Sequence, residues 1–161
     1  PLLDALRHNL YPRLVPIANR WNTQLGIDTR YPAALDDFLV RCHQAGQTRP
    51  TPLILQYRPG VYNCLHQDLY GEHVFPLQAT VLLSCPSSDF TGGEFVVTQT
   101  ASSGQSAEVN ALNQGDAVVF AAHHQPAAGR RGLRKVTMRH GVSRLRSGQR
   151  HTLGVIFHDA S

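Results

Sequence analysis

At 161 residues, with 42% hydrophobic and 16% charged residues, the chain has the length and composition of one folded domain, which excludes extended disorder. No apolar run approaches the roughly 18 residues of a membrane span, and the start at Pro1 with Asp4 and Arg7 is no signal peptide, so no membrane partner is expected. The formal charge of +4 is unevenly spread: eight of the 15 basic residues lie between Arg130 and Arg150, and no acid occurs from Ala117 to His158.

Leu2, Leu3, Leu6 and Leu10 recur at near-helical spacing before Pro12, and Leu14, Ile17, Ala18, Trp21 and Leu25 continue the pattern. This predicts two short helices or one kinked helix. Leu35, Phe38, Leu39 and Cys42 form a second apolar stripe, with Pro32 before it and Gly46 after it, where helices tolerate them.

From Pro52 onward eight short β-like runs follow: Leu53–Tyr57, Tyr62–Asp68, Leu77–Ser84, Glu94–Gln99, Ala107–Leu112, Ala117–Ala121, Lys135–Val142 and His151–His158. Ser102–Ser106 reads as a polar hairpin loop, and Arg130, Arg131, Arg134 and Lys135, flanking Gly129 and Gly132, read as another loop. Many short strands with turn signals between them indicate a sandwich or barrel. The expectation is a mainly β protein with N-terminal helices: a single domain over 1–161, helical over 1–50, with a double-stranded β-helix (jelly roll) core over 52–159. Cys42, Cys64 and Cys85 form no CxxC pair and read as free thiols of a cytoplasmic protein, and the termini read as those of a trimmed fragment.

His66-Gln67-Asp68 ends the second run, and the period-two alternation of a strand points its imidazole and carboxylate to one face. Two histidines and one carboxylate on one face of an octahedron leave three positions open, which suits non-haem Fe(II) with a chelating cosubstrate and oxygen. His140 is the leading third ligand, because it shares a strand face with Val136, Met138 and Val142. His123 and His124 compete for that place, His124 also having a basic residue ten positions on at Arg134, but they fall at a strand end before Gln125-Pro126. Independently, Arg150 and Thr152 share a face of the last run, and a hairpin through Ser147-Gly148 would bring them alongside His140. A guanidinium fork there matches a carboxylate.

HxD at His66 to Asp68, His140 about seventy residues later and Arg150-His151-Thr152 ten beyond resemble the Fe(II)/2-oxoglutarate-dependent dioxygenases over Leu53 to Asp159. Gln56-Tyr57-Arg58-Pro59-Gly60, Gly92-Gly93-Glu94-Phe95 and Gly115-Asp116-Ala117 are similar to prolyl 4-hydroxylase-type domains. The segments from His66 to Gln78 and from Arg139 to Arg144 resemble a bacterial family described as nucleic-acid oxygenases of the alkylation-repair type. The resemblance implies Fe(II) on His66, Asp68 and His140, and 2-oxoglutarate anchored by Arg150 with Thr152, Tyr57 lining its pocket. It also implies oxidative decarboxylation of that cosubstrate by O2, coupled to substrate hydroxylation. Where those hydroxylases often carry a second tyrosine on the next strand, this chain has Thr80-Val81-Leu82-Leu83. Tyr70, Glu72, His73 and Phe75 follow in a loop able to cover a substrate. The substrate expected is alkylated nucleic acid, as in DNA repair, favoured by the basic stretch. A protein side chain such as prolyl, or a cupin-like metal-binding module without oxygenase activity, are the alternatives.

Overall fold

The computed structural model describes residues 2–129 and 132–161. Its helices come first, α1 (Leu2–Gln24) and α2 (Leu35–Gln44), and eleven strands follow among the described residues. Helix α1 runs unbroken through Pro12 and Pro16. Both prolines are exposed, so the carbonyls they leave unpaired face solvent, while Tyr11, Leu14, Val15 and Ala18 turn inward. In α2, Asp36 and Asp37 occupy the first turn and Arg41 and His43 the last, each sign at the helix end it stabilises.

The strands are β1 (Leu53–Tyr57), β2 (Asn63–His66), β3 (Leu77–Leu82), β4 (Phe90–Gly92), β5 (Phe95–Ala101), β6 (Gly104–Asn110), β7 (Ala117–Ala121), β8 (His124–Gly129), β9 (Gly132–Val142), β10 (Leu145–Gly148) and β11 (Arg150–Val155). They build one antiparallel sheet in the order β1-β11-β3-β7 and another in the order β2-β9-β5-β6, with β8 added to β9 and a small β10-β4 pair beside them. This is the expected double-stranded β-helix with N-terminal helices. Alternation along each strand sorts its residues: Leu77, Ala79, Leu153 and Val155 face the helices, while Tyr57, Leu82, Phe95, Phe120 and Val142 fill the space between the sheets. No helix among the described residues is long and apolar enough to cross a membrane.

Three differences from the sequence expectation have physical causes. The hairpin through Ser147-Gly148 does not lay β11 beside His140; β10 leaves to pair with β4, and β11 enters the facing sheet. Gly148 makes that change of sheet possible, with φ 78° and a backbone so close to Asp89 that a Cβ would overlap its carbonyl oxygen. The region around Arg134 and Lys135 is strand rather than loop, since both pair within the β8-β9 hairpin, while Arg130 and Arg131 lie outside the described residues. Pro126 is tolerated in β8 because that strand pairs with β9 alone and its other edge needs no donor. The β5-β6 hairpin likewise turns tightly between Ala101 and Gly104, so Ser106 is strand.

The helices are fastened by an aromatic cluster and an ion pair. Phe75, fully buried, meets Tyr11 at 4.9 Å, Tyr31 at 5.0 Å and Phe157 at 5.3 Å between ring centroids. Arg7 donates to the Phe157 carbonyl at 2.8 Å and to Asp159 at 3.0 Å, both residues being buried. Truncating Phe75 to alanine should lower unfolding free energy by about 3–5 kcal/mol in a denaturant titration; a loss under about 1 kcal/mol would show that the cluster does not dock the helices.

Candidate metal centre

Strand β2 pairs with β9 so that Asn63 lies opposite Val142 and His66 opposite His140, with a register shift between them. The shift turns the His66 imidazole inward to meet that of His140 at 4.2 Å between ring centroids. Gly141 makes room for it: a Cβ there would lie 2.6 Å from the Asn63 carbonyl oxygen. The expected HxD geometry thus arises from one strand end and one bulge.

Asp68 lies just beyond β2, its Oδ1 3.4 Å from His66 Nε2 and its Oδ2 3.3 Å from His140 Nε2. One ligand atom from each of the three falls within 4.8 Å of the others. His66 Nδ1 donates to the Cys64 carbonyl at 2.7 Å, which leaves Nε2 as the nitrogen facing the cluster. Such an anchored imidazole is how metal-ligating histidines are usually held. The convergent two-imidazole, one-carboxylate donor set fits a divalent ion such as Fe(II) with open positions.

Burial alone would raise the Asp68 carboxyl, but hydrogen bonding to His140, His66, Tyr70 and Gln78 outweighs it and holds the group well below the usual carboxylate range. The same contact with Asp68 raises the His66 imidazole. Burial first, and then the Asp68 carboxylate, push the Tyr70 hydroxyl up to about 12.

The competing histidines lie elsewhere. His124 sits in β8, its ring tilted against that of His123 at 3.4 Å between centroids, and burial lowers both imidazoles. His43 contacts Asp159 and His151 contacts Ser84. Of the residues expected to cover a substrate, Tyr70 lines the cavity and donates to Asp68 at 2.6 Å. Glu72 is exposed, His73 is held through its backbone by Gln47, and Phe75 is buried in the aromatic cluster under the helices; none of the three lines the cavity.

The triad opens on a cavity of ≈ 310 Å³ between the sheets, lined also by Tyr57, Asn63, Thr80, Phe95, Arg150 and Thr152. Arg150 is 1% exposed, and its Nε and Nη1 are buried with no hydrogen-bond partner. No carboxylate lies within 4 Å of it among the described residues; its neighbours are the rings of Tyr57 at 5.2 Å and Phe90 at 5.9 Å. Tyr57 is its partner in the β1-β11 register, and burial raises the Tyr57 hydroxyl. Gln78, which sequence reasoning did not single out, is 3% exposed and bonds Asp68 at 2.9 Å. Its signal was present, since Gln78 and Thr80 put polar groups on the inner face of an otherwise apolar strand.

A family model described as "Oxygenase, catalysing oxidative methylation of damaged DNA" matches residues 1–160. The chain belongs to this oxygenase family. The oxygenase is 46% identical over 161 residues to the uncharacterized protein Rv2227 of Mycobacterium tuberculosis, covering 99% of this chain and 69% of that one. Among solved structures it is similar to a 2OG-Fe(II) oxygenase family oxidoreductase from Burkholderia pseudomallei (TM-score 0.47, 21% identity, 71% of this chain), spanning about half of that chain, 49%. It is also similar to a Pseudomonas putida prolyl-4-hydroxylase (TM-score 0.46, 17% identity, 94% of this chain and 80% of that one).

Metal titration tests the cluster. His66→Ala, Asp68→Ala or His140→Ala should abolish Mn(II) binding in calorimetry, whereas His124→Ala should bind as the wild type does. Silencing by the His124 change, with His140→Ala still binding, would move the site to β8.

Proposed function

We propose that this oxygenase is an Fe(II)- and 2-oxoglutarate-dependent dioxygenase acting on alkylated nucleic acid, with residues 1–161 forming one catalytic domain. Iron is assigned to His66, Asp68 and His140, and the cosubstrate's distal carboxylate to Arg150 with Thr152 and Tyr57. The observation that carries the reading is Arg150: a buried guanidinium with two unpartnered nitrogens, Nε and Nη1, in the same cavity as a convergent His-Asp-His cluster. Burying a charge without a counterion costs several kcal/mol, roughly, even after relaxation. A small dicarboxylate that reaches from the metal to Arg150 would remove that cost, and the cavity has the volume of a small-molecule site.

When bound, Fe(II) with 2-oxoglutarate and O2 supplies the oxidising power: the cosubstrate loses CO2 to become succinate, taking one oxygen atom, and the other enters a substrate C–H bond. The chain's own residues bind and orient. Thr152, buried on the Arg150 face of β11, offers a hydroxyl beside the guanidinium, and the Tyr57 ring covers it. Phe95 and Phe120 pack against His140 at 6.0 and 4.6 Å and keep water from that side of the cluster. Tyr70 forms the wall nearest Asp68, with Glu72 and His73 further along the same segment. No side chain is required as acid or base. On an N-alkyl group, hydroxylation gives an adduct that releases an aldehyde, so alkyl removal follows insertion of oxygen. The free Cys42, Cys64 and Cys85 accord with a cytoplasmic enzyme.

Two measurements test this reading. Arg150→Ala should weaken 2-oxoglutarate binding without removing the metal, by about 2–5 kcal/mol, or roughly 30- to 3,000-fold in a calorimetric titration; less than about a threefold loss would place Arg150 outside the pocket. Replacing Arg134 and Lys135 by Gln should flatten the salt dependence of binding to methylated single-stranded DNA by about 0.7 in log–log slope for each phosphate no longer neutralised. Absence of salt-sensitive DNA binding at micromolar protein would point to a peptide substrate instead.

A further inference from the structure

We propose that Tyr70 and Gln78 are positioning residues that clasp the Asp68 carboxylate from two sides and set how tightly the site keeps a divalent ion. The inference rests on the reading of His66, Asp68 and His140 as ligands. A carboxylate at the end of a strand turns readily about its last bond and can present either oxygen, or both, to an ion. Here each oxygen already has a donor: Tyr70 hydroxyl on Oδ1 at 2.6 Å and Gln78 Nε2 on Oδ2 at 2.9 Å. Both lengths lie in the range of strong hydrogen bonds to an ionised acceptor. A rotation that brought both oxygens to one ion would have to break one of them.

Gln78 reaches Asp68 from the opposite sheet. It stands on β3, whereas His66 and His140 belong to β2 and β9 and Asp68 follows β2, so the amide spans the interior and ties the two walls together at the ligands. Its nitrogen also lies 3.3 Å from His140 Nε2, at the junction of two of the three ligands. The other end of the amide, Oε1, is buried without a donor. A buried unsatisfied acceptor costs about 1–3 kcal/mol, and an apolar side chain of the same length would avoid it. What that apolar side chain could not supply is the bond to Asp68.

Tyr70 approaches from the other side, two residues after Asp68, with its ring at the cavity wall and 40% exposed. Removing its hydroxyl alone therefore opens no hole in the core. Partners that orient a metal's ligands typically change affinity by about 10–100-fold when removed, the range expected for each residue here.

The test titrates metal-free protein with Mn(II) by calorimetry and records its thermal unfolding in parallel, so that no turnover is needed. Tyr70→Phe and Gln78→Met should each loosen Mn(II) by about 10–100-fold, with the melting temperature of the metal-free protein unchanged. A merely structural role would shift the melting and spare the affinity. If Gln78→Met does lower the melting temperature, the exposed Tyr70→Phe change decides alone. Wild-type affinity within about threefold in Tyr70→Phe would overturn the clasp while leaving the ligand assignment standing. Equal Mn(II) binding by wild type and Asp68→Ala would overturn the ligand assignment, and the clasp with it.

Discussion

Two histidines 74 positions apart in sequence must meet at one point, and the antiparallel pairing of β2 with β9 is what makes them do so. The ladder alone is insufficient, because His66 comes opposite His140 only after the register shifts. That shift needs a glycine at 141, where the β2 backbone presses against β9. A one-residue slip in a strand reverses every side chain. Without the bulge, the imidazole of His66 would turn to the outer face and the carboxylate two positions on would follow it.

The interior between the sheets is chemically divided. Phe95, Phe120, Leu82 and Val142 make it an ordinary apolar core, yet Gln78, Thr80, Arg150 and Thr152 enter the same space from β3 and β11. The His66-Asp68-His140 cluster comes from one wall and the Arg150 guanidinium from the other. Polarity that destabilises the core is thereby concentrated on the two central strands of the sheet that the helices back.

Much of this is legible in the sequence because strand periodicity carries it. The face shared by Val136, Met138 and His140, and the face shared by Arg150 and Thr152, follow from counting by twos, and so does the common side of the HxD pair, whereas its inward direction depends on the bulge in β2. Strands β4, β8 and β10 are not legible: each is short or carries Pro or Gly, and each exists because a neighbouring strand offers it an edge. Local signals do not encode that edge. The sheet that β11 joins is hidden for a related reason, since Ser147-Gly148 looks like a hairpin turn whichever sheet the chain enters next. Gln78 escapes notice because an amide in an apolar run has no motif, only a position.

The placement of β11 bears on how the molecule comes into being. The last strand in sequence lies in the middle of its sheet, between β1 and β3. While the chain is being synthesised, β1 and β3 have no common partner, and each exposes an unpaired edge. Such edges invite pairing with other chains, and pairings that span roughly 70 to 100 residues, as those of β11 with β3 and β1 do, form slowly. The fold therefore has no well-made intermediate ending before residue 150. Loss of β11 would leave β1 and β3 each with an open edge rather than merely removing Arg150 and Thr152.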